Sequence, residues 1–197
     1  MQHKAPRQVL VIDVETTGQN RFQHWMPCFA AALVDEHGQC PADAQFLCYL
    51  EQPPDTGWDE ACLRNFWRCK RKAVGGQLLV DRLHADAEQH GRWEPALAMG
   101  RFVAWLERVA RRWPKLQIAS DNAAYDIGWL DHYLQRYCPK APSMAYCTGE
   151  WRPILDVRSF AAGKGATLRA APRDHNPLHD AIQIGQEYMD LLKPKKT

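Results

Sequence analysis

The sequence predicts an α/β domain in which helices flank a mixed five-stranded sheet. Three observations support this fold class. A β-branched run begins at Gln8, two further strand patterns follow it closely, and the remainder alternates long helical patterns with short strands. The chain has 197 residues, of which 46% are hydrophobic and 24% charged, as is typical of one globular domain. No repeat or linker interrupts it, so we expect a single domain over residues 1–197 with its core at 9–192.

The first three strands form a meander. Gln8–Glu15 is almost entirely apolar up to its acidic end, and Thr16, Thr17 and Gly18 follow it as a turn. The second and third strands are predicted at Cys28–Asp35 and at residues 44–50. The short loop over residues 36–39 after the second strand favours an antiparallel hairpin.

Beyond Pro54 the hydrophobic pattern changes to the helical period. Helices are predicted over residues 58–69, 78–90, 94–113, 125–137 and 176–192, and short strands over 116–119 and 154–157. The helix over 94–113 carries an apolar stripe that includes Leu97, Phe102 and Trp105, and Pro114 ends it.

Composition excludes several classes of protein. The longest apolar run, residues 28–34, is far too short to span a bilayer, and no signal-peptide core follows the N-terminus. The formal net charge is only +2, so a basic binding surface must be local. Seven cysteines without a C-x-x-C pair fit reduced thiols. We therefore expect a cytosolic or nuclear protein, and assign it to the cytoplasm.

Two acids end the first strand. Asp13 and Glu15 are two residues apart, so their side chains point to one face with Cα atoms about 6.6 Å apart. Such a pair repels unless a positive charge lies between the carboxylates. The alternative is that one of them only caps the turn at Thr16.

A third acid occupies an inward position. In the helix over 125–137, Asp126 lies on the same stripe as Leu130 and Leu134. Burying a carboxylate costs several kcal/mol unless a cation or hydrogen bonds compensate it. The alternative, an acid that complements the helix dipole, explains an exposed acid better than an inward one.

The last helix has a clear start. Asn176 is a favourable N-cap and Pro177 suits the first helical position. Asp180 is predicted near this start but off the apolar stripe of the helix, and His175 lies in the preceding loop. The alternative interpretation of His175 is a surface residue or a local hydrogen-bond partner.

Taken together, the four acids suit Mg²⁺ or Mn²⁺, because these ions prefer oxygen ligands. Two such ions about 4 Å apart are the arrangement that promotes phosphodiester hydrolysis. A P-loop is excluded because its spacing is absent around Gly163 and Gly165, and a zinc site at His175 and His179 lacks the glutamate of H-E-x-x-H.

The three motifs resemble those of a known family. Residues 13–18 (DVETTG), 122–126 (NAAYD) and 175–181 (HNPLHDA) are similar to the signature of the DEDDh, or DnaQ-like, 3′–5′ exonucleases. The resemblance implies a ribonuclease H-like fold. It also implies a metal-dependent enzyme that releases nucleoside 5′-monophosphates from the 3′ end of single-stranded DNA or RNA.

The resemblance also implies roles for individual residues. Asp13, Glu15 and Asp180 would hold one ion, and Asp13 and Asp126 a second. His175 would be the general base, a role suited to a side chain that titrates near neutrality. Residues assigned to substrate binding are Thr16 and Thr17, through their backbone, and Asn122.

Two positions depart from the family pattern. Asp121 stands where many relatives have a histidine, and Tyr125 replaces the commoner phenylalanine; neither removes a ligand. Phe66, Trp67 and the segment 156–160 resemble the subgroup that contains exodeoxyribonuclease VIII and poly(A)-trimming ribonucleases.

A basic segment interleaved with aromatic residues is a further candidate for substrate binding. Phe66 and Trp67 lie among five bases, Arg64, Arg68, Lys70, Arg71 and Lys72. Such a segment suits a single strand, because cations follow phosphates and rings stack on bases. The alternative is a solvated helix face with Trp67 in the core.

Two further questions stay open in the sequence. A non-catalytic nucleic-acid-binding module that keeps the fold is the alternative function, and retention of all five site residues argues against it. Many members of the family form dimers, so the resemblance allows a homodimer.

Overall fold

The computed structural model describes residues 8–69, 72, 74–114, 116–147, 153–168 and 174–193. Within these ranges the chain forms one mixed sheet with the strand order β4-β3-β2-β1-β5-β6. The strands are β1 (Gln8–Glu15), β2 (Cys28–Asp35), β3 (Gln45–Leu50), β4 (Arg92–Trp93), β5 (Gln117–Ser120) and β6 (Leu155–Asp156).

Strand β1 is central and pairs on both sides. It runs antiparallel to β2, with Gln8 opposite Asp35 and Glu15 opposite Cys28, and parallel to β5. Strands β5 and β6 are also parallel. The carboxyl ends of β1, β5 and β6 therefore meet at one edge of the sheet.

Six α-helices surround the sheet in the described part of the chain. They are α1 (Glu60–Cys62), which continues as a π-helix over Leu63–Trp67, then α2 (Leu79–His90), α3 (Pro95–Arg112), α4 (Ala123–Tyr137), α5 (Val157–Gly163) and α6 (Pro177–Leu192). None of the described helices is both long and apolar enough to cross a bilayer.

The residues of β1 alternate between two cores. Leu10 and Ile12 belong to the core formed with α3 and α4, where Phe29 and Phe102 meet edge to face at 5.3 Å. Val9 and Val11 belong to the core under α6. Because successive side chains of a strand point to opposite faces, Asp13 and Glu15 share the α6 side of the sheet.

The predicted α/β class with a mixed sheet and flanking helices is confirmed, and the strand count is corrected from five to six. The additional strand β4 has only two residues and follows Gly91, whose φ of 78° ends α2. A strand this short shows no alternation in sequence. It is formed by parallel pairing with Tyr49 and Leu50 at the sheet edge.

Three details of the helices also differ from prediction. The segment 58–69 contains a short α-helix and then a π-turn, in which Arg68 N–H donates to the Leu63 carbonyl at 2.8 Å. Helix α5 was not predicted, and Asp156 caps it by accepting from Ser159 N–H. Leu97, assigned to the apolar stripe of α3, is 51% exposed, because it lies in the first turn on the solvent side.

Candidate active site

Strand β1 supplies the first pair of acids. Asp13 and Glu15 are 6% and 8% exposed, although they are carboxylates at the end of an otherwise apolar strand. Their backbone pairs with β2, opposite Ala30 and Cys28, and the first half of the same strand also pairs with β5.

The end of strand β5 and the start of α4 supply a second pair of acids, Asp121 and Asp126. Strand β5 ends at Ser120, whose hydroxyl donates to the Asp126 carboxylate and accepts from Asn122 N–H at 3.0 Å. This connection turns the side chain of Asp126 back toward the end of the sheet. The pKa of Asp126 is raised to about 7, chiefly by burial and also by repulsion from Asp121 and Glu15, while the hydrogen bond from Ser120 acts in the opposite direction.

The start of α6 supplies the last two groups. Asn176 caps the helix by accepting from Leu178 N–H, as predicted, and Pro177 begins it. Asp180 was placed off the apolar stripe, but it is 3% exposed. Its carboxylate lies within 4.8 Å of ligand atoms of Glu15 and His175, at the wall of the groove above the end of the sheet.

His175 adopts an unusual backbone conformation. Among the described residues it is the only one other than glycine at positive φ, with a value of 55°, a region that costs an L-residue about 1–2 kcal/mol. Its Nδ1 atom lies 3.5 Å from Glu15 Oε1, and its ring meets Phe66 edge to face at 4.8 Å.

These groups form two adjoining triplets of possible metal ligands. One contains Glu15, His175 and Asp180, and the other contains Asp13, Asp121 and Asp126; within each, ligand atoms lie within 4.8 Å of one another. The structure thus brings together all five residues that the motifs indicate.

Asp121 is the member that the sequence interpretation missed. It was treated as a departure from the family pattern, yet it is 5% exposed and belongs to the second triplet. It also pairs with Arg158 of α5 at 2.7 Å. The available signal was its position immediately after a buried strand, at the edge where the other acids collect.

The concentration of carboxylates has a strong electrostatic effect. Burial raises the pKa of Asp13 well above its ordinary value, and repulsion from Asp126, Glu15, Asp180 and Asp121 raises it further. Full ionisation of such a cluster requires added positive charge. The site is therefore arranged to accept cations.

Two connected grooves open over these residues. A groove of about 540 Å³ lies above the acids and also includes Asn122 and Arg158 in its wall. A second groove, of about 690 Å³, continues beyond Thr16 toward His24 and Asn65. Glu15, Phe66 and Tyr125 line both grooves. Each has the volume of a small-molecule site.

The predicted substrate-binding residues differ in their access to these grooves. Asn122 is exposed at the wall of the acidic groove, and Phe66 is half-buried between the two. Thr16 lines the second groove, where its hydroxyl bonds with that of Tyr125 and donates to the Gly18 carbonyl.

The substrate-binding roles predicted for Thr17 and Trp67 do not agree with their positions in the structure. Thr17 is fully buried, and its hydroxyl and backbone groups bond to Trp25, Gly57 and Asp59. It holds the loop in place and does not face a groove. Trp67 is 2% exposed and donates through Nε1 to the Thr16 carbonyl at 3.0 Å. This burial excludes the predicted stacking of a base on Trp67, which the π-turn directs into the protein.

The basic segment is only partly described. Arg64, Arg68 and Lys72 are exposed, and Lys72 Nζ lies 4.9 Å from the centre of the Phe66 ring. Lys70 and Arg71 lie outside the described residues.

Comparisons with known proteins agree with this geometry. No protein-family model matches the chain. The chain is 24% identical over 198 residues to the 3′–5′ DNA exonuclease Cap18 of Escherichia coli, with 94% of the chain and 92% of that protein covered.

Solved structures extend the comparison. The nuclease domain of 3′hExo, a DEDDh family member bound to rAMP, matches with a TM-score of 0.55 and 14% identity over 96% of this chain and 93% of that domain. Exonuclease I of Methylocaldum szegediense matches with a TM-score of 0.61 and 14% identity over 95% of this chain, which spans 41% of that enzyme. The resemblance that the three motifs indicate is confirmed: the chain has the ribonuclease H-like fold of the DEDDh 3′–5′ exonucleases.

Proposed function

We propose that this chain is a metal-dependent 3′–5′ exonuclease that hydrolyses phosphodiester bonds at the 3′ end of single-stranded nucleic acid. The observation that carries the proposal is the convergence of Asp13, Glu15, Asp126, His175 and Asp180 in one groove from three distant segments. The similarity to a protein named a 3′–5′ DNA exonuclease supports it.

The donor set fits two hard divalent cations. Asp13, Glu15, Asp126 and Asp180 offer carboxylate oxygens in two triplets, and Asp121 adds a fifth acid to one of them. Oxygen-rich sites of this kind suit Mg²⁺ or Mn²⁺. Bound there, two such ions would stabilise the negative charge that develops on the attacking and leaving oxygens.

His175 is the proposed general base. It projects from the loop before α6 toward Glu15, and it lines the acidic groove. In its neutral form one ring nitrogen can accept a proton from the attacking water. Its ring packs nearly perpendicular to that of Phe66, with the ring centres 4.8 Å apart.

The grooves and their surroundings fit the end of a single strand. The 690 Å³ groove beside the acids can receive the terminal nucleotide, with the wall formed by Thr16, Phe66 and Tyr125. Exposed Arg64, Arg68 and Lys72 can follow phosphates further along the strand.

Similar proteins of known structure have been solved with DNA and with a ribonucleotide. One solved relative, exonuclease I of Escherichia coli, is in complex with a dT13 oligonucleotide, and 3′hExo is bound to rAMP. The proposal therefore covers single-stranded DNA and RNA.

The test is a time course on 5′-labelled single-stranded DNA and RNA of one sequence, with Mg²⁺, Mn²⁺ or EDTA. A substrate with a 3′-phosphate and the Asp13→Ala variant serve as controls. We expect a metal-dependent ladder that shortens from the 3′ end, and no products with Asp13→Ala. The faster substrate identifies the preferred sugar.

Intact substrates in every lane would reject the proposal. If the wild-type chain then still shifted the oligonucleotides in a binding assay, the non-catalytic binding module would replace it. Equal cleavage by wild type and Asp13→Ala would assign the activity to a contaminant or to another site.

A further inference from the structure

His175 is held by contacts that lie outside the acidic groove. The residue before it, Asp174, is bound to Arg82 of α2: Arg82 Nη1 donates to the Asp174 carbonyl at 2.8 Å, and Nη2 lies 3.5 Å from Asp174 Oδ2. That carbonyl belongs to the peptide unit whose nitrogen is the backbone nitrogen of His175. Arg82 therefore fixes one side of the rotation that defines φ of His175.

The peptide unit that follows His175 is also held by Asp174. Asn176 N–H donates to Asp174 Oδ1 at 3.0 Å, and His179 Nδ1 lies 2.9 Å from Asp174 Oδ2. The backbone of His175 is thus held between two anchored neighbours. A residue in a sparsely populated conformation persists only when its surroundings hold it there.

Helix α2 is itself anchored to the protein. Leu79 and Leu83, on either side of Arg82 in sequence, are buried in a cluster with Trp67 and Tyr49. Arg82 and Asp174 are only 21% and 29% exposed at their side chains. The contact is therefore part of the packed structure, unlike the exposed ion pair between Arg112 and Asp43.

We infer that Arg82, acting through Asp174, is a positioning residue that sets the backbone conformation and hence the ring position of His175. This inference rests on the proposed function, because His175 is the general base only if the chain is a nuclease. Arg82 belongs to neither triplet of possible metal ligands, so its removal acts on His175 and leaves the carboxylates in place.

The kinetic test compares Arg82→Ala, Arg82→Lys and the matched control Arg112→Ala with wild type. Displacement of a catalytic group by about 1 Å can cost 10²-fold in rate, so we expect kcat to fall about 10- to 100-fold in Arg82→Ala, with KM within about twofold. Arg82→Lys keeps the charge and one hydrogen bond, and we expect kcat within about threefold of wild type. Arg112→Ala should leave kcat unchanged.

A double variant tests the route through Asp174. If Arg82 acts through this residue, Arg82→Ala combined with Asp174→Ala lowers kcat about as much as the stronger single variant does. Multiplied losses would show that the two residues act separately. Titration calorimetry with Mn²⁺ should give affinities for Arg82→Ala within about threefold of wild type.

Histidine-ring NMR tests the position of His175 without measuring cleavage. The His175 signal, assigned with His175→Gln, should shift or broaden in Arg82→Ala and stay in place in Arg112→Ala. An unmoved His175 signal, or an unchanged kcat, would overturn the inference. A raised KM with unchanged kcat would instead assign Arg82 to substrate binding. If the wild-type chain does not cleave, the proposed function fails and the NMR result alone decides whether Arg82 positions His175.

Discussion

At the scale of single residues, Asp13 is held in conditions that disfavour its ionised form. Asp13 is buried beside four other carboxylates, and both burial and repulsion raise its pKa. The residue is therefore a source of instability until cations bind. Function and stability therefore make opposite demands on Asp13, and one substitution there can separate them.

Asp13→Asn should stabilise the metal-free protein. Asparagine has nearly the same shape and removes one buried negative charge, so we expect the free energy of unfolding at pH 8 in EDTA to rise by ~1–2 kcal/mol. Urea unfolding measures the change. The variant should also lose cleavage and most of its stabilisation by Mg²⁺; a less stable variant would contradict the charge argument.

His175→Ala should separate proton transfer from metal binding. General base catalysis contributes about 10²- to 10⁴-fold, so kcat should fall by that factor while Mn²⁺ affinity changes little. Single-turnover kinetics and calorimetry check the two quantities. A wild-type rate would mean that another group takes the proton.

The residues of the site could be predicted from sequence where each has a distinctive local pattern. Asp13 and Glu15 end an apolar strand, and Asp126 interrupts an apolar stripe. The solvent exposure of individual side chains could not be predicted from such local patterns. Trp67 was given a substrate-binding role, but the π-turn that buries it depends on backbone geometry that the residue pattern does not show.

At the scale of elements, the parallel pairing of β1, β5 and β6 places their carboxyl ends together and so collects the acids. The long elements were predictable because their hydrophobic period repeats several times. Strand β4 and helix α5 have two and seven residues. Elements this short depend on tertiary pairing and capping, which local sequence does not show.

The packing of α6 on the sheet can be tested at one glycine. A Cβ atom at Gly185 would lie 2.5 Å from Val34 Cγ2 and 2.8 Å from Val34 Cβ, and Val34 is a buried β-branched residue on β2. Gly185→Ala should therefore destabilise the protein by ~1–3 kcal/mol, despite the better helix propensity of alanine.

Gly100 is the matched control for this substitution. It lies in α3 and is exposed, and a Cβ atom added there would meet no packing neighbour within 4 Å among the described residues. Gly100→Ala should raise the free energy of unfolding by ~0.5–1 kcal/mol. Thermal or urea unfolding of both variants measures the pair; equal effects would show that α6 does not approach β2 this closely.

At the scale of the whole molecule, the acidic site makes stability depend on pH and on divalent cations. The pKa of Asp126 is raised from 3.8 to about 7 in the folded protein. Between pH 3.8 and about pH 7, this carboxyl is mostly protonated in the folded state and mostly ionised in the unfolded state. The stabilising contribution of the protonated form is complete below about pH 3.8 and is lost as pH rises through about 7.

We therefore expect the protein in EDTA to lose ~2 kcal/mol of unfolding free energy between pH 5 and pH 8 from this carboxyl. Urea unfolding at the two pH values measures the loss, and Asp126→Asn should reduce it. Mg²⁺ at 100 times its dissociation constant should restore about 2.7 kcal/mol at pH 8. Stability that is equal at both pH values in EDTA would contradict the assigned pKa.

The order of the segments along the chain has a consequence for protein synthesis. All six described strands precede Val157, whereas His175 and Asp180 belong to the segment that begins α6. In a growing polypeptide the strands therefore emerge from the ribosome before His175 and Asp180 do. Until α6 emerges from the ribosome, the nascent chain lacks the proposed general base and one acid, so the proposed nuclease site is incomplete while the chain is still close to its messenger RNA.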